Sequence, residues 1–392
     1  MSRRLFSRNL DLQRLRDDGL FVRIIDEKFL VVAVPYVKEG RKVDWGNLIT
    51  PLELAGDTTQ KPVSDHQVFF DGDNPCDANG VKVAMGGSEL QPQQERAGFK
   101  VKYHFSRKPP SGYADYYEKM TTYHALLSAP AIAIDPTIQS RPLQATSDDD
   151  TESVFEYPDT ASGRTGTAAH ADLLKQEVVA LIGVGGTGAY ILDKVAKTPV
   201  QEIRLFDGDH FLNHNAFRAP GAASLDELRE APKKVDYFRA IYSRMHRGIK
   251  PFPVKMTAEN VHILDGVTFA FVCMDDGQDK KAVFDKLEAI GASFIDVGMG
   301  LELEEGSLGG VLRVTLSTPG NRTEARKRAT FIAREEDVVY KSNIQVADLN
   351  SLNADLAVIR WKRLRGFYRD LLNEFYCSYT TDGNALWNKE DT

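Results

Sequence analysis

Hydrophobic positions change rhythm part-way along this chain. Over residues 1–138 they come as short, imperfectly alternating runs at 21–25, 29–36, 68–70 and 99–105, the period-two pattern of half-buried strands. Turn residues crowd between them, as in Asp71-Gly72-Asp73-Asn74-Pro75 and Gly86-Gly87, and a helix is predicted over 113–127. Beyond residue 164 the runs become almost continuously apolar, at 178–182, 203–207, 252–255, 269–274 and 294–297, with helical patterns at 188–197, 234–245 and 278–290. A strand that is apolar throughout is buried on both faces, which predicts a mostly parallel sheet covered by helices. Residues 309–317 return to alternation and predict an antiparallel strand at the far side. Residues 349–372 read as a long helix and 375–380 as a closing strand. Between the two rhythms, residues 139–163 turn polar and small, with Asp148-Asp149-Asp150 among them, and are expected to be a linker.

The expected organisation is thus a smaller α+β domain over 1–138, the linker over 139–163, and a doubly wound α/β domain over 164–392. Length and composition agree with it. The 392 residues leave room for two domains, and 42% hydrophobic with 27% charged residues is ordinary for a soluble globular chain. No apolar run approaches the ~18 residues of a membrane span, and the charged start has no signal-peptide core. A cytoplasmic protein with no membrane partner is expected. A net charge of −7 argues against a broad nucleic-acid surface, although local basic clusters can still hold phosphates. Cys76, Cys273 and Cys377 lie too far apart for a CxxC pair, so neither a disulfide framework nor a four-cysteine zinc site is suggested.

The most informative stretch begins at the apolar run 178–182, which feeds into Gly183-Val184-Gly185-Gly186-Thr187-Gly188. Glycines at 183, 185 and 188 suit a tight turn, close approach of backbone to a ligand, and close helix packing; Gly186 lies within the same turn. The helix that opens there offers free N–H groups and a positive dipole end to a phosphate. Asp207, 19 residues past Gly188, ends the next strand where a carboxylate can accept from ribose hydroxyls, and Asp209 follows it. This is a nucleotide-binding βαβ unit on a Rossmann-like sheet. NAD or FAD would be the default ligand. Yet His214-Asn215-Ala216-Phe217-Arg218, Lys233-Lys234 and Asp275-Asp276 all follow the carboxyl ends of expected parallel strands, where open α/β sheets bind ligands. Asn, Arg and Lys gathered there suit a triphosphate whose charge must be neutralised. Asp275 adds a hard oxygen ligand for Mg²⁺. ATP with Mg²⁺ is therefore favoured over a dinucleotide. Duller roles compete at some positions: Asp276 as a helix N-cap, Asp209 as a turn cap, and His214 as a structural residue.

In these residues the chain resembles the ThiF/MoeB/HesA superfamily, enzymes that adenylate the C-terminus of ubiquitin-like proteins. The resemblance covers about residues 164–380. It matches the family's glycine turn to Gly183–Gly188, its ribose-binding Asp to Asp207, and its phosphate-side Asn-x-x-Arg to Asn215 and Arg218. It matches the family's helix-initial Lys to Lys234, with Lys233 the one-residue alternative, and its Mg²⁺-linked Asp to Asp275. Arg164 resembles an Arg that reaches the site of a partner subunit. The resemblance implies carboxylate attack on the α-phosphorus of ATP, a homodimer with sites near the subunit interface, and a ubiquitin-like partner with a Gly-Gly-type C-terminus. A conjugating-enzyme-like protein would receive the acyl group, and the domain over 1–138 would recruit carrier or conjugating protein, as in bacterial proteins of similar arrangement.

Departures from the family matter as much. Residues 317–342, where many relatives carry a nucleophilic cysteine, contain none. Cys273 and Cys377 are expected in strand interiors, and Cys76 in an exposed loop. Adenylation without a thioester on this chain is the reading preferred, as in the MoeB branch; Thr318, Thr323 and Thr330 remain as poorer nucleophiles. The family's zinc-binding cysteine pairs are absent, so no structural zinc is expected. In the first domain, His66, Asp71, Asp73 and Cys76 cluster, but turn residues account for them. Two other functions stay open: an NAD(P)- or FAD-dependent oxidoreductase, and a non-catalytic partner subunit. The joint presence of Asn215, Arg218, Lys234 and Asp275 speaks against the second.

Overall fold

The computed structural model describes residues 5–6, 8–62, 66–83, 88–138, 153–157, 159, 161–162, 167–274, 277–329, 331 and 344–389. They fall into two compact units, one drawn from 1–152 and 157–169, the other from 153–156 and 170–392.

The first unit is built on an antiparallel sheet. Strands β1 (Val22–Ile25), β2 (Phe29–Lys38), β3 (Lys42–Pro51), β6 (Gln67–Phe70), β7 (Ser88–Arg96) and β8 (Phe99–Ser106) lie in the order β1-β2-β3-β6-β8-β7, with β4 (Leu54–Ala55) and β5 (Thr58–Thr59) as a small ribbon. Helix α1 (Leu10–Asp17) and helix α2 (Tyr116–Ile134) share one core with it, formed by Leu12, Leu15, Val32, Val34, Phe70, Met120 and Tyr123 among others. Asp115 caps α2 by accepting from the Glu118 amide. Strand β3 was not expected, because Asp44, Trp45 and Gly46 break the apolar pattern. Gly46 is there for contact: a Cβ would lie 2.6 Å from the Phe70 ring. Cys76, expected in an exposed loop, is buried, and its chain pairs with Val37 and Lys82. His66, Asp71 and Asp73 bond separately, to Ser106, Asn47 and Lys102.

In the second unit, β9 (Val178–Ile182), β10 (Glu202–Phe206), β11 (Ile249–Phe252), β12 (Phe269–Val272), β13 (Ser293–Glu304), β14 (Ser307–Ser317), β15 (Tyr376–Thr380) and β16 (Ala385–Lys389) form one mixed sheet. The order is β11-β10-β9-β12-β13-β14-β15-β16. The first five strands are parallel and the last three antiparallel. The strand order reverses direction at β9, so the carboxyl ends of β9 and β12 flank the switch point at which open α/β sheets bind ligands. Helices among the described residues of this unit include α3 (Gly186–Val195), α4 (Asn213–Ala216), α5 (Leu225–Glu230), α6 (Lys234–Tyr242), α7 (Gln278–Ala289), α8 (Arg322–Arg326) and α9 (Ala347–Leu364). Alternate strand residues feed separate cores. Leu181, Leu205, Phe271 and Ile295 pack with Leu192, Phe238 and Trp361 of α3, α6 and α9. Ala180, Phe206, Val272 and Phe294 pack with Val283, Phe284 and Leu287 of α7. Both faces of the central strands are covered, which is why those strands read as unbroken apolar runs. No helix among the described residues is long and apolar enough to cross a membrane.

Several boundaries differ from expectation. Strand β11 ends at Phe252, paired with Phe206, so the apolar residues beyond it are loop. Strand β13 runs far past 297, into a hairpin turned by Glu305 and Gly306, both at positive φ. Helix α9 stops at Leu364 because Gly366 takes φ +74 and the Phe367 amide donates back to the Lys362 carbonyl. Leu371 and Leu372, apolar at helical spacing, are 79% and 54% exposed.

Most of the expected linker lies outside the described residues, but 153–156 packs into the second unit. The Glu156 amide donates to the Met245 carbonyl, the Arg247 amide to the Val154 carbonyl, and Phe155 meets His246 edge-on. His246 is fully buried; its Nε2 bonds the Val200 carbonyl and its Nδ1 accepts from the Gly248 amide. That arrangement requires the neutral ring, and burial pushes its pKa down to about 4. A depressed imidazole stabilises the fold above the unfolded value near 6.5 and loses that contribution as pH falls towards 4. From pH 7 to pH 5 this one group should withdraw about 2 kcal/mol. Urea unfolding at both pH values tests it: His246→Gln should flatten the pH dependence by that amount, and an unchanged difference would refute it.

Candidate functional site

Of the four glycines around the β9–α3 turn, three are fixed by close contact and one is not. Gly183 takes φ +91, and a Cβ there would sit 2.5 Å from the Cys273 carbonyl oxygen. At Gly188 a Cβ would sit 2.0 Å from the Gly183 carbonyl oxygen, so helix and turn meet backbone to backbone. A Cβ on Gly186 would strike the Asn350 side chain at 2.2 Å. Of the four, only Gly185 has no described residue within 4 Å of its Cβ position. It is also the N-cap of α3 and supplies no capping side chain. The first amides of that helix are left facing the opening, where an anion is favoured.

Asp207 is tied to this turn. Its Oδ2 accepts from the Val184 amide at 3.0 Å and its Oδ1 from the Asp209 amide at 2.9 Å. Lys234, which begins α6 and is only 7% exposed, places Nζ 2.7 Å from Asp209 Oδ2 and 3.6 Å from Asp207 Oδ1. Its own amide donates to the Asp209 carbonyl. A lysine at a helix N-terminus opposes the helix dipole, so these carboxylates hold it against the local field. The hydrogen bond from Lys234 keeps the Asp209 carboxyl below its ordinary range, with Lys255 and Lys233 adding to the effect. Lys233, the alternative to Lys234, instead donates its Nζ to the Gly208 carbonyl at 2.6 Å. Burial first, then Arg218 and Lys234, pushes the His214 imidazole down.

Asn215 is 3% exposed; its Oδ1 accepts from the Leu212 amide at 2.9 Å. Its Nδ2 is buried and has no hydrogen-bond partner among the described residues. A buried amide donor without a partner costs about 1–3 kcal/mol, a cost that an arriving acceptor oxygen removes. Arg218 is half-buried one turn further on. Its carbonyl accepts from Asn350 Nδ2 at 3.3 Å, while Asn350 Oδ1 accepts from Thr187 Oγ1 at 2.9 Å. Asn350 therefore joins the segment bearing Asn215 and Arg218 to the glycine-turn helix.

The structure thus brings Gly183, Gly185, Gly186, Gly188, Asp207, Asp209 and Lys234 together by direct contacts, with Asn215 and Arg218 linked through Asn350. Arg164, Asp275 and Asp276 lie outside the described residues. Among the described residues no group of three or more His, Cys, Asp or Glu side chains could hold a metal ion. Sequence reasoning missed Asn350 and Lys255. Asn350 and Asn353, buried amides on the packed face of α9, were the legible signal: a polar residue in an apolar stripe needs a partner. Burial raises the Cys273 thiol strongly and pushes Cys377 up to about 11. Both sit far from thiolate reactivity. Thr318 Oγ1 is bonded to Asn321 Oδ1. Thr330 lies outside the described residues.

A nucleoside triphosphate fits these groups. The open face at Gly185 and the uncapped helix start offer room and donors, the unpaired Asn215 amide offers one more, and Lys234 with Arg218 supplies positive charge.

Residues 10–160 match the model of a family described as a domain of unknown function, DUF6791. No curated protein matches the chain. Among solved structures, it is similar to E. coli MccB crystallised with MccA-N7isoASN, at 18% identity and TM-score 0.46, over 59% of this chain and 69% of that one. It is also similar to selenomethionine-labelled PaaA, at 17% identity and TM-score 0.43, over 57% of this chain and 75% of that one. A further likeness is to E. coli MccB with ATP, at 17% identity and TM-score 0.44, over 57% and 66%.

Proposed function

We propose that the second unit is a Rossmann-like, doubly wound adenylating domain that uses ATP to activate a polypeptide's C-terminal carboxylate. The observation that carries this reading is the pairing of a cation with an empty-handed donor. Lys234 is held at the turn by Asp207 and Asp209, and the segment tied to the same turn through Asn350 carries a buried Asn215 Nδ2 with no partner among the described residues. A dinucleotide site needs neither. The substrate carboxylate oxygen attacks the α-phosphorus as the bond to the bridging oxygen breaks, giving acyl-adenylate and pyrophosphate. Both reactants are anions, so positioning and charge neutralisation supply most of the acceleration.

Each residue then has a task. Asp207, fixed by the Val184 amide, accepts from the ribose hydroxyls with its remaining lone pairs. The turn amides at the start of α3 lie against ribose and phosphate. Asn215 Nδ2 donates to a phosphate oxygen and orients it. Lys234 exchanges Asp209 for the phosphates, and with Arg218 neutralises the departing pyrophosphate. A magnesium ion, when bound, would shield the phosphate charge, with Asp275 as its protein ligand.

The resemblance in sequence supports a ubiquitin-like protein with a Gly-Gly-type C-terminus as substrate. It also supports a conjugating-enzyme-like acceptor, a cytoplasmic homodimer to which Arg164 contributes across the interface, and partner recruitment by residues 1–138. ATP–pyrophosphate exchange with peptides ending in Gly-Gly tests the reaction. Asp275→Ala should lower exchange at least 100-fold with an unchanged circular dichroism spectrum. Tight NAD(P) or FAD binding without ATP binding would defeat the reading in favour of the oxidoreductase. ATP binding with no exchange for any carboxylate would favour the non-catalytic subunit.

A further inference from the structure

We infer that Asn350 is a positioning residue that holds the Asn215–Arg218 segment against the glycine turn, an inference that rests on the adenylation reading above. Asn350 stands near the start of α9, the helix that packs along α3, and is fully buried. Both ends of its amide are engaged. Oδ1 accepts from Thr187 Oγ1, on the first turn of α3, and Nδ2 donates to the carbonyl of Arg218. Gly186 makes room for that amide, since any Cβ there would lie 2.2 Å from its Nδ2.

A leucine would fill the same space and bury more apolar area. A buried amide at this position therefore serves a polar task. The task is geometric. The turn and Asp207 grip the ribose side, while Asn215 and Arg218 work on the phosphates. These two halves are 27 residues apart from Gly188 to Asn215. Asn350 is a direct side-chain bridge between them, and it approaches from a third part of the chain. Asn350 touches neither the proposed nucleotide nor the reacting atoms; it acts through the Arg218 backbone.

A group that only positions the phosphate-side residues should affect the chemical step more than the grip on nucleoside. A displacement on the order of 1 Å at such a site can cost up to 10²-fold in rate. In the full chain, Asn350→Leu is expected to lower kcat for pyrophosphate exchange roughly 10- to 100-fold. The dissociation constant for adenosine, which has base and ribose but no phosphate, should stay within about threefold of the unaltered protein's, because Asn350 meets that half only at the Thr187 side chain and beside Gly186, while Asp207 is fixed by the Val184 and Asp209 amides. Thr187→Val removes the donor but keeps the volume; it should shift kcat the same way by a smaller factor. In the double variant the two losses should be non-additive. Thr187→Val also keeps the test open if Asn350→Leu fails to fold. Unchanged kcat in both variants, or adenosine affinity falling in step with kcat, would overturn the tether and leave Asn350 a packing residue. Absence of exchange in the unaltered protein would instead overturn the adenylation reading, and the tether's role with it.

Discussion

Lys234→Ala is expected to cut ATP–pyrophosphate exchange by about 10²- to 10³-fold while leaving the protein folded. Lys234 Nζ is a buried cation held by Asp207, which bonds the Val184 amide of the glycine turn, and in the proposed reaction it meets charge as pyrophosphate departs. Its loss should lower stability by roughly 1–3 kcal/mol: a lysine at a helix start opposes the dipole and Asp209 is 75% exposed at its side chain, but Asp207, only 10% exposed, loses its cation. Lys233→Ala is the control, because Lys233 spends its Nζ on the Gly208 carbonyl and should retain exchange within about tenfold. The pair of variants decides between the two lysines that the Lys-Lys sequence left open. Equal losses in both, measured at saturating ATP alongside thermal midpoints, would remove Lys234 from its role.

Gly183→Ala is expected to have the largest effect on stability. Left-handed backbone costs a non-glycine residue about 1–2 kcal/mol. The new methyl would also press on the Cys273 carbonyl at 2.5 Å, where backbone must yield in a packed core at about 1–3 kcal/mol more. A loss of roughly 3 kcal/mol or more in urea unfolding should follow. Gly185→Ala makes the contrast. Its φ of −73 with ψ of −144 lies outside the helical and extended regions, but no described residue stands within 4 Å, so stability should fall by about 1–2 kcal/mol, the cost of a strained backbone and a poorer N-cap. Nucleotide affinity should nevertheless fall, since the space a methyl would take is the space a phosphate or ribose needs. If Gly185→Ala binds ATP normally, the open face at Gly185 is not where nucleotide sits.

The sequence was clearest where burial is symmetrical. Strands β9 and β12 are apolar on both faces, so a continuous run marks each within a few residues, and the glycine turn sits where the first run ends. Asp207, Lys234 and Asn215 could be named because strand ends, short loops and helix starts carry local signatures. Legibility failed where long-range contact overrides local pattern. Strand β3 is interrupted by Gly46, whose reason is the Phe70 ring 24 residues away in the chain. Helix α9 looked longer because Leu371 and Leu372 continue its period, yet the left-handed turn at Gly366 had already ended it. Asn350 was invisible as a site residue because its partners, Thr187 and Arg218, are more than 130 residues earlier. The exposed loop expected at Cys76 failed similarly, since its chain is drawn onto β2 at Val37.

The crowding at 183 and 188, set against the vacancy at 185, also bears on how such chains can drift. Any amino acid that replaces Gly183 or Gly188 brings a carbon into backbone, so descendants must keep both merely to remain folded, whatever they have ceased to do. At position 185 no described residue stands within 4 Å of a Cβ, so once nothing is bound there only the backbone, at φ −73 and ψ −144, still favours glycine. Among descendants of this chain, a bulky residue at 185 beside intact glycines at 183 and 188 would therefore be the scar of a lost ligand, and a preserved glycine there a sign that one is still in residence.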